Sequence, residues 1–237
     1  MAEAMTPGLS VEECVRRLKR YHYAFKRLHQ ILTARLTAEP IYELKMGFSL
    51  HAHLCAEHVS ALRKRVGEMR EPPLGLEAVP DANLELFFDE VLGAPSREEL
   101  LLGIYDKAVP ALKAGLEQHL KVTNHLADHP SVRVCRFALL ELDDMLEFGV
   151  RSLQALVDAA GRERVKDWLS LLDDALAAAG GLGGTAEPSG KSVARRLGIS
   201  AVPCFIFERQ YAVSGAQEPE FFFPVFDLVQ NGGQRAP

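Results

Sequence analysis

The chain has 237 residues, 48% of them apolar and 25% charged, a balance that builds a core and excludes an intrinsically disordered protein. A formal net charge of -5 and a pI near 5.9 lack the basic footprint of a nucleic-acid-binding protein. No apolar run approaches the roughly 20 residues of a membrane span, and residues 1–9 carry no basic start followed by an apolar stretch, so neither membrane insertion nor a secretory signal is expected.

Ser10-Val11-Glu12-Glu13 is a capping box and predicts a helix over 10–37. Its apolar stripe is Cys14, Leu18, Tyr21, Phe25, Leu28, Leu32 and Leu36, spaced by three and four. The other face is basic, with Arg16, Arg17, Lys19, Arg20, Lys26 and Arg27. It reads as a solvated or ion-paired surface turned to the acidic run Glu141, Asp143, Asp144 and Glu147. Pro40 opens a second helix over 40–69, where its missing N–H costs nothing. The stripe there is Ile41, Leu44, Phe48, Cys55, Val59, Leu62 and Val66. Pro72-Pro73 ends it, and a short amphipathic helix follows over 82–92.

Ser96-Arg97-Glu98-Glu99 is a second capping box. The helix it starts meets Pro110, which removes a hydrogen bond and predicts a kink before the helix resumes to about 128. Pro130 opens a further helix with Cys135, Leu139, Leu142, Leu146, Leu153 and Leu156 inward, and a shorter one over 163–179 holds the sole tryptophan, Trp168. Long helices with short or medium links bury such stripes most cheaply as an antiparallel bundle. The expected class is therefore mainly α, with a bundle over 10–160 and a connecting helix over 161–179.

The glycine-rich run over 180–190 reads as a linker. Beyond it come a helix over 191–197, a strand over 201–207 apolar on both faces, a turn at Glu208-Arg209-Gln210, a strand over 211–213, and a closing helix from Pro219. The string Gly198-Ile199-Ser200-Ala201-Val202-Pro203-Cys204-Phe205-Ile206-Phe207, then Tyr211-Ala212-Val213-Ser214-Gly215-Ala216-Gln217, resembles the C-terminal signature of DsbA-family proteins of the FrnE type. The resemblance implies a small α+β piece of a thioredoxin-like fold over 191–230, with Pro203 in the cis form. A cis X–Pro bond leaves the Val202 backbone free to pair with an extended peptide, so Val202 and Pro203 become candidate binding residues for a protein or peptide partner.

That family's dithiol is missing. Cys14, Cys55, Cys135 and Cys204 form no CxxC pair, and dithiol chemistry needs a low-pKa thiolate beside a resolving cysteine. Cys204 is the candidate catalytic thiol because it follows Pro203, while as a small residue on a central strand it packs as a hydrophobe. Dispersed, free thiols suit a reducing compartment, and a cytoplasmic location is expected. A two-stranded hairpin alone is marginal in water. Its cover must come from the bundle or from a second copy of the chain, which would be a homodimer.

Glu57-His58-Val59-Ser60-Ala61-Leu62-Arg63-Lys64-Arg65-Val66 and Thr123-Asn124-His125-Leu126-Ala127-Asp128 give the bundle a resemblance to ferritin-like proteins. Di-metal bundles of that kind use Glu-x-x-His pairs, and this sequence has none. His51, Cys55 and His58 nevertheless share one helix face at spacings of four and three, a donor set suited to zinc or iron. His22, His119, Glu141 and Asp144 could approach from neighbouring helices. The blander reading is of histidines hydrogen-bonded across the bundle to Glu141 or Asp144, and no cofactor is expected. The resulting functional expectation is a non-catalytic binding or scaffold protein. Its alternatives are a thiol-disulfide oxidoreductase using Cys204 beside Pro203 and a metal-dependent ferritin-like oxidoreductase.

Overall fold

The structure, a computed structural model, describes residues 8–70 and 72–187, and beyond them the strands 204–207 and 211–214. The chain divides into two compact units, Met1–Ser189 and Gly190–Pro237. In the first, α1 spans Val11–Leu36 and α2 Tyr42–Met69. The Ser10 hydroxyl accepts from the Glu13 N–H at 3.2 Å, but the Glu13 carboxylate turns to Arg16 and Arg17 rather than back to the cap. Helix α3, Ala82–Leu92, starts at Asp81, whose carboxylate accepts from the Asn83 and Leu84 N–H groups. The capping box at Ser96 and Glu99 is complete and starts α4, Arg97–Leu101.

Where Pro110 predicts a kink, the helix widens instead. Residues Leu102–Ala108 form a π-helical segment that passes into α5, Val109–Val122, and the Val109 N–H reaches back to the Ile104 carbonyl. Taking up one extra residue in the turns ahead of the proline keeps the chain helical where an α-helical ladder would break. Helix α5 stops at Val122, short of the expected 128, because the Asn124 side chain accepts from the Leu126 and Ala127 N–H groups in a tight turn. Then follow α6, His129–Leu156, and in place of one helix over 163–179 two pieces, α7 (Ala159–Arg164) and α8 (Lys166–Ala178).

Side-chain pairings fix the helix directions. His29 meets Ala52 and Phe25 meets His58, so α1 and α2 are antiparallel. His51 meets Phe148, His58 meets Glu141, and Arg65 meets Ser131, which sets α2 against α6. Lys113 meets Asp143 while Tyr105 meets Phe148, opposing α5 to α6. Tyr21 donates to the Gly115 carbonyl as Cys14 meets Asp128, opposing α1 to α5. The bundle is therefore a ring, α1–α2–α6–α5, running up, down, up, down around the ring and up, down, down, up along the chain. One long crossover, carrying α3 and α4, joins α2 to α5. The core holds Leu18, Tyr21, Phe25, Leu28, Leu32, Phe48, Leu62, Leu112, Cys135 and Leu142, all buried. On its flank α3 packs on α8 and α1, and α8 packs on the π-helical segment. There Trp168 donates its indole N–H to Glu90 at 3.0 Å.

On the basic face of α1, Arg17 and Arg20 are buried, Lys19, Lys26 and Arg27 half-buried and Arg16 exposed, and the partners they have are not the acidic run of α6. Arg17 pairs with Glu13 at 2.6 Å, Lys26 with Glu77 and Arg27 with Asp89. Arg20, only 5% exposed, donates to the carbonyls of Ala179, Gly181 and Leu182. The acidic residues look elsewhere: Asp143 to Lys113, Glu147 to Arg151 and Glu141 to His58.

The first part of the glycine run is hydrogen-bonded structure. Gly180 N–H bonds to the Ala177 carbonyl and Gly181 N–H to that of Leu176, which closes the C-terminus of α8 as a Schellman motif. Gly180 takes φ 72°, where a Cβ would come within 2.6 Å of the Ala186 carbonyl, so only glycine fits. In the second unit, β1 (Cys204–Phe207) pairs antiparallel with β2 (Tyr211–Ser214), from Cys204 opposite Ser214 to Phe207 opposite Tyr211. The helices expected over 191–197 and from Pro219 lie outside the described residues, as do Val202 and Pro203. Among the described residues no helix is long and apolar enough to cross a membrane.

Candidate functional site

The ring places polar groups at three levels along the bundle. At the first, the apolar stripe of α2 turns His51 inward and the π-helical segment turns in Tyr105. His51 Nδ1 lies 2.8 Å from the Tyr105 hydroxyl, and Phe148 stands edge-on to the imidazole at 5.0 Å. Gly149 makes the room: a Cβ there would sit 2.5 Å from that of Tyr105. Burial lowers His51 to about 4 and raises Tyr105 well above its ordinary value, so both are neutral at pH 7.

One helical turn on, Cys55 is fully buried, and burial together with the nearby Glu141 charge pushes its thiol to about 12. His58 Nε2 and Glu141 Oε2 lie 2.6 Å apart, at angles outside those of a well-formed hydrogen bond. Burial holds the His58 pKa below its ordinary value although Glu141 pulls it upward. The structure thus brings His51, Cys55, His58 and Glu141 to one seam, but His51 turns to Tyr105 and His58 to Glu141. Asp144 is exposed and takes no part. His22 sits elsewhere, near Lys26, Glu77 and Arg63.

The third level closes the end of the bundle where α1 begins and the α5–α6 turn returns. The Cys14 thiol donates to Asp128 Oδ2 at 3.0 Å. Arg65 donates to Asp128 Oδ1 at 2.7 Å and to the Ser131 hydroxyl at 2.8 Å. His119, 0% exposed, stands edge-on to Tyr21, and neither of its ring nitrogens has a hydrogen-bond partner. Among the described residues, Cys14, His119 and Asp128 are the group of metal-type donors whose ligand atoms converge, all within 4.8 Å of one another. Burial opposes the Asp128 charge, but hydrogen bonds from Cys14, Ser131 and Arg65 outweigh it and hold the carboxyl below its ordinary value. Burial and then Asp128 push the Cys14 thiol to about 12.

Sequence reasoning named His119 but missed Cys14, Asp128 and Tyr105 as site residues. Cys14 read as part of an apolar stripe and Asp128 as the end of a helix. One signal was present: an Asp two residues before Pro130 stands at the start of α6, yet its side chain makes no capping bond and is turned inward. The side chain of Cys204 lies outside the described residues. Comparison with protein-family models, curated proteins and solved structures returns no match.

Proposed function

We propose that this chain is a non-catalytic binding scaffold, a ferritin-like bundle carrying a DsbA-like segment without its dithiol. The observation that carries the reading is that none of the three cysteines in the bundle interior is an activated thiol. Cys14, Cys55 and Cys135 are buried free cysteines whose thiols are pushed to about 12, so none offers a thiolate at neutral pH. His51 is taken up by the Tyr105 hydroxyl, and His58 faces the Glu141 carboxylate. The single long crossover between α2 and α5 supports the ferritin-like assignment, since such bundles have one crossover of this kind. In the DsbA-like segment the Val202-Pro203 loop would take an extended peptide or a protein segment, and the hairpin edge a second copy of the chain.

The test is thiol chemistry on the full chain. The protein should neither reduce insulin disulfides nor oxidise a reduced substrate, and Cys14, Cys55 and Cys135 should resist alkylation until the chain is unfolded. Turnover that disappears in Cys204→Ser would overturn the scaffold reading in favour of a thiol-disulfide oxidoreductase.

A further inference from the structure

We propose that Cys14, His119 and Asp128 form a binding site for one divalent metal ion of the zinc class at the end of the bundle. This goes beyond the scaffold reading and is compatible with it, because zinc is redox-inert. Two independent observations meet here. The three donor atoms lie within 4.8 Å of one another. His119 is fully buried with both ring nitrogens unpartnered, a costly state for a polar side chain that a metal–nitrogen bond would relieve at one of the two nitrogens.

The donors are of the right kind. A thiolate, an imidazole and a carboxylate suit a borderline-soft ion, and three protein ligands leave a fourth tetrahedral position for water. That water can enter on the side of Asp128, the partly exposed member of the set. Arg65 holds Oδ1 of the carboxylate, which leaves Oδ2, the oxygen facing Cys14, as the ligand atom. Such outer contacts commonly orient metal-bound carboxylates. Arg17 is paired with Glu13, while Arg65 is shared between Glu68 and Asp128, so the Asp128 charge is partly met already and the charge that binding adds is that of the deprotonated Cys14.

Binding exchanges one proton for one ion. The Cys14 S–H bond breaks, the proton leaves to solvent, a sulfur–metal bond forms, and nothing is oxidised or reduced. Sulfur and oxygen, now 3.0 Å apart, would open to about 3.6 Å in a tetrahedral set built from ordinary zinc bond lengths. The ion would tie the first turn of α1 to the end of α5 and the start of α6, segments more than one hundred residues apart in sequence.

The experiment uses the full, reduced chain, stripped with a chelator and titrated with Co²⁺ and then Zn²⁺. One equivalent of Co²⁺ should give a thiolate-to-cobalt charge-transfer absorption that Zn²⁺ abolishes, and Zn²⁺ should raise the thermal midpoint. Cys14→Ser should lose the band, and His119→Gln and Asp128→Asn should each weaken Zn²⁺ binding about tenfold or more. Cys135→Ser should keep the band. Helical circular dichroism checks each variant, and Cys14→Ala replaces Cys14→Ser if the latter does not fold. Wild-type protein without a stoichiometric cobalt band overturns the proposal whatever the variants do. So does a band that survives the loss of Cys14 and disappears in Cys55→Ser, which would put the ion on the inner face of α2.

Discussion

Arg20 shows how far a side chain's role can lie from its appearance in the sequence. As one of six residues on the basic face of α1 it reads as surface, yet its guanidinium spans three carbonyls of the Ala179–Leu182 turn, at 2.8 to 2.9 Å. A planar fork makes such contacts and an ammonium does not. Arg20→Lys and Arg20→Met should each destabilise the chain by about 2–4 kcal/mol, since buried carbonyls lose charged donors. Urea unfolding measures this, and a loss under 0.5 kcal/mol in both would remove the clamp from the account. Histidine burial makes a second prediction. His22 and His51 are both lowered from 6.5 to about 4, chiefly by desolvation. The unfolded chain takes up protons near pH 6.5 that the folded chain refuses until about 4. Stability present above pH 6.5 is therefore lost progressively as pH falls towards 4, by on the order of 2 kcal/mol for each histidine. Urea midpoints at pH 7 and pH 5 should differ accordingly, with a smaller difference in His22→Leu; equal midpoints would mean the rings are hydrated. Periodicity placed His51 and His58 inward correctly, because a three-and-four stripe is a statement about one helix. Glu141 was among the partners read for these rings, and His58 does face it, while the contact of His51 with Tyr105 on the π-helical segment was not legible.

At the scale of elements, the sequence was most readable where a local chemical rule decides the outcome. Ser96 and Glu99 cap α4 as their spacing requires, and Pro130 sits in the first turn of α6. Pro110 told of a disturbance but not of its form. A kink and a π-helical segment both relieve the missing N–H, and the chain takes the second, in a segment that packs against α6 and α8. The glycine run was misleading in the other direction: composition says flexible, while Gly180 and Gly181 are the two positions a Schellman cap uses, with the buried Leu182 after them. The π-helical segment depends on a glycine opposite. In Gly149→Ala the new methyl would lie 2.5–2.6 Å from the Cβ and ring of Tyr105, a stem that cannot swing aside. The substitution should cost about 1–3 kcal/mol by overpacking. In a cycle with Tyr105→Ala the two losses should be less than additive, since removing the ring relieves the two contacts at 2.6 Å and lets the backbone give at the remaining Cβ contact. Full additivity, read from denaturant midpoints, would mean that the two positions do not touch.

At the scale of the molecule, stripes and caps predicted that helices would bundle but not which would be neighbours. Every amphipathic face looks alike to a sequence reading. The ring order α1–α2–α6–α5 follows from pairs such as Arg65 with Ser131 and Tyr21 with Gly115, neither of which has a signature in composition or spacing. The same pairs argue that the first unit is self-sufficient. Its ring closes on itself, with α1 against both α2 and α5 and α6 against the same two. The end of α8 is capped by its own backbone and held to α1 by Arg20. Each of these contacts lies within Met1–Ser189. A chain ending at Ser189 should therefore fold cooperatively, with a thermal midpoint within about 2–4 °C of the full protein, the shift that roughly 1 kcal/mol produces in a domain of this size. Ending it at Ala178 instead removes the Schellman cap and the carbonyls that Arg20 holds, leaving a buried guanidinium without acceptors. That shorter chain should unfold at a clearly lower temperature or fail to fold. If both truncations melt alike, the turn after α8 is dispensable and the bundle closes without it.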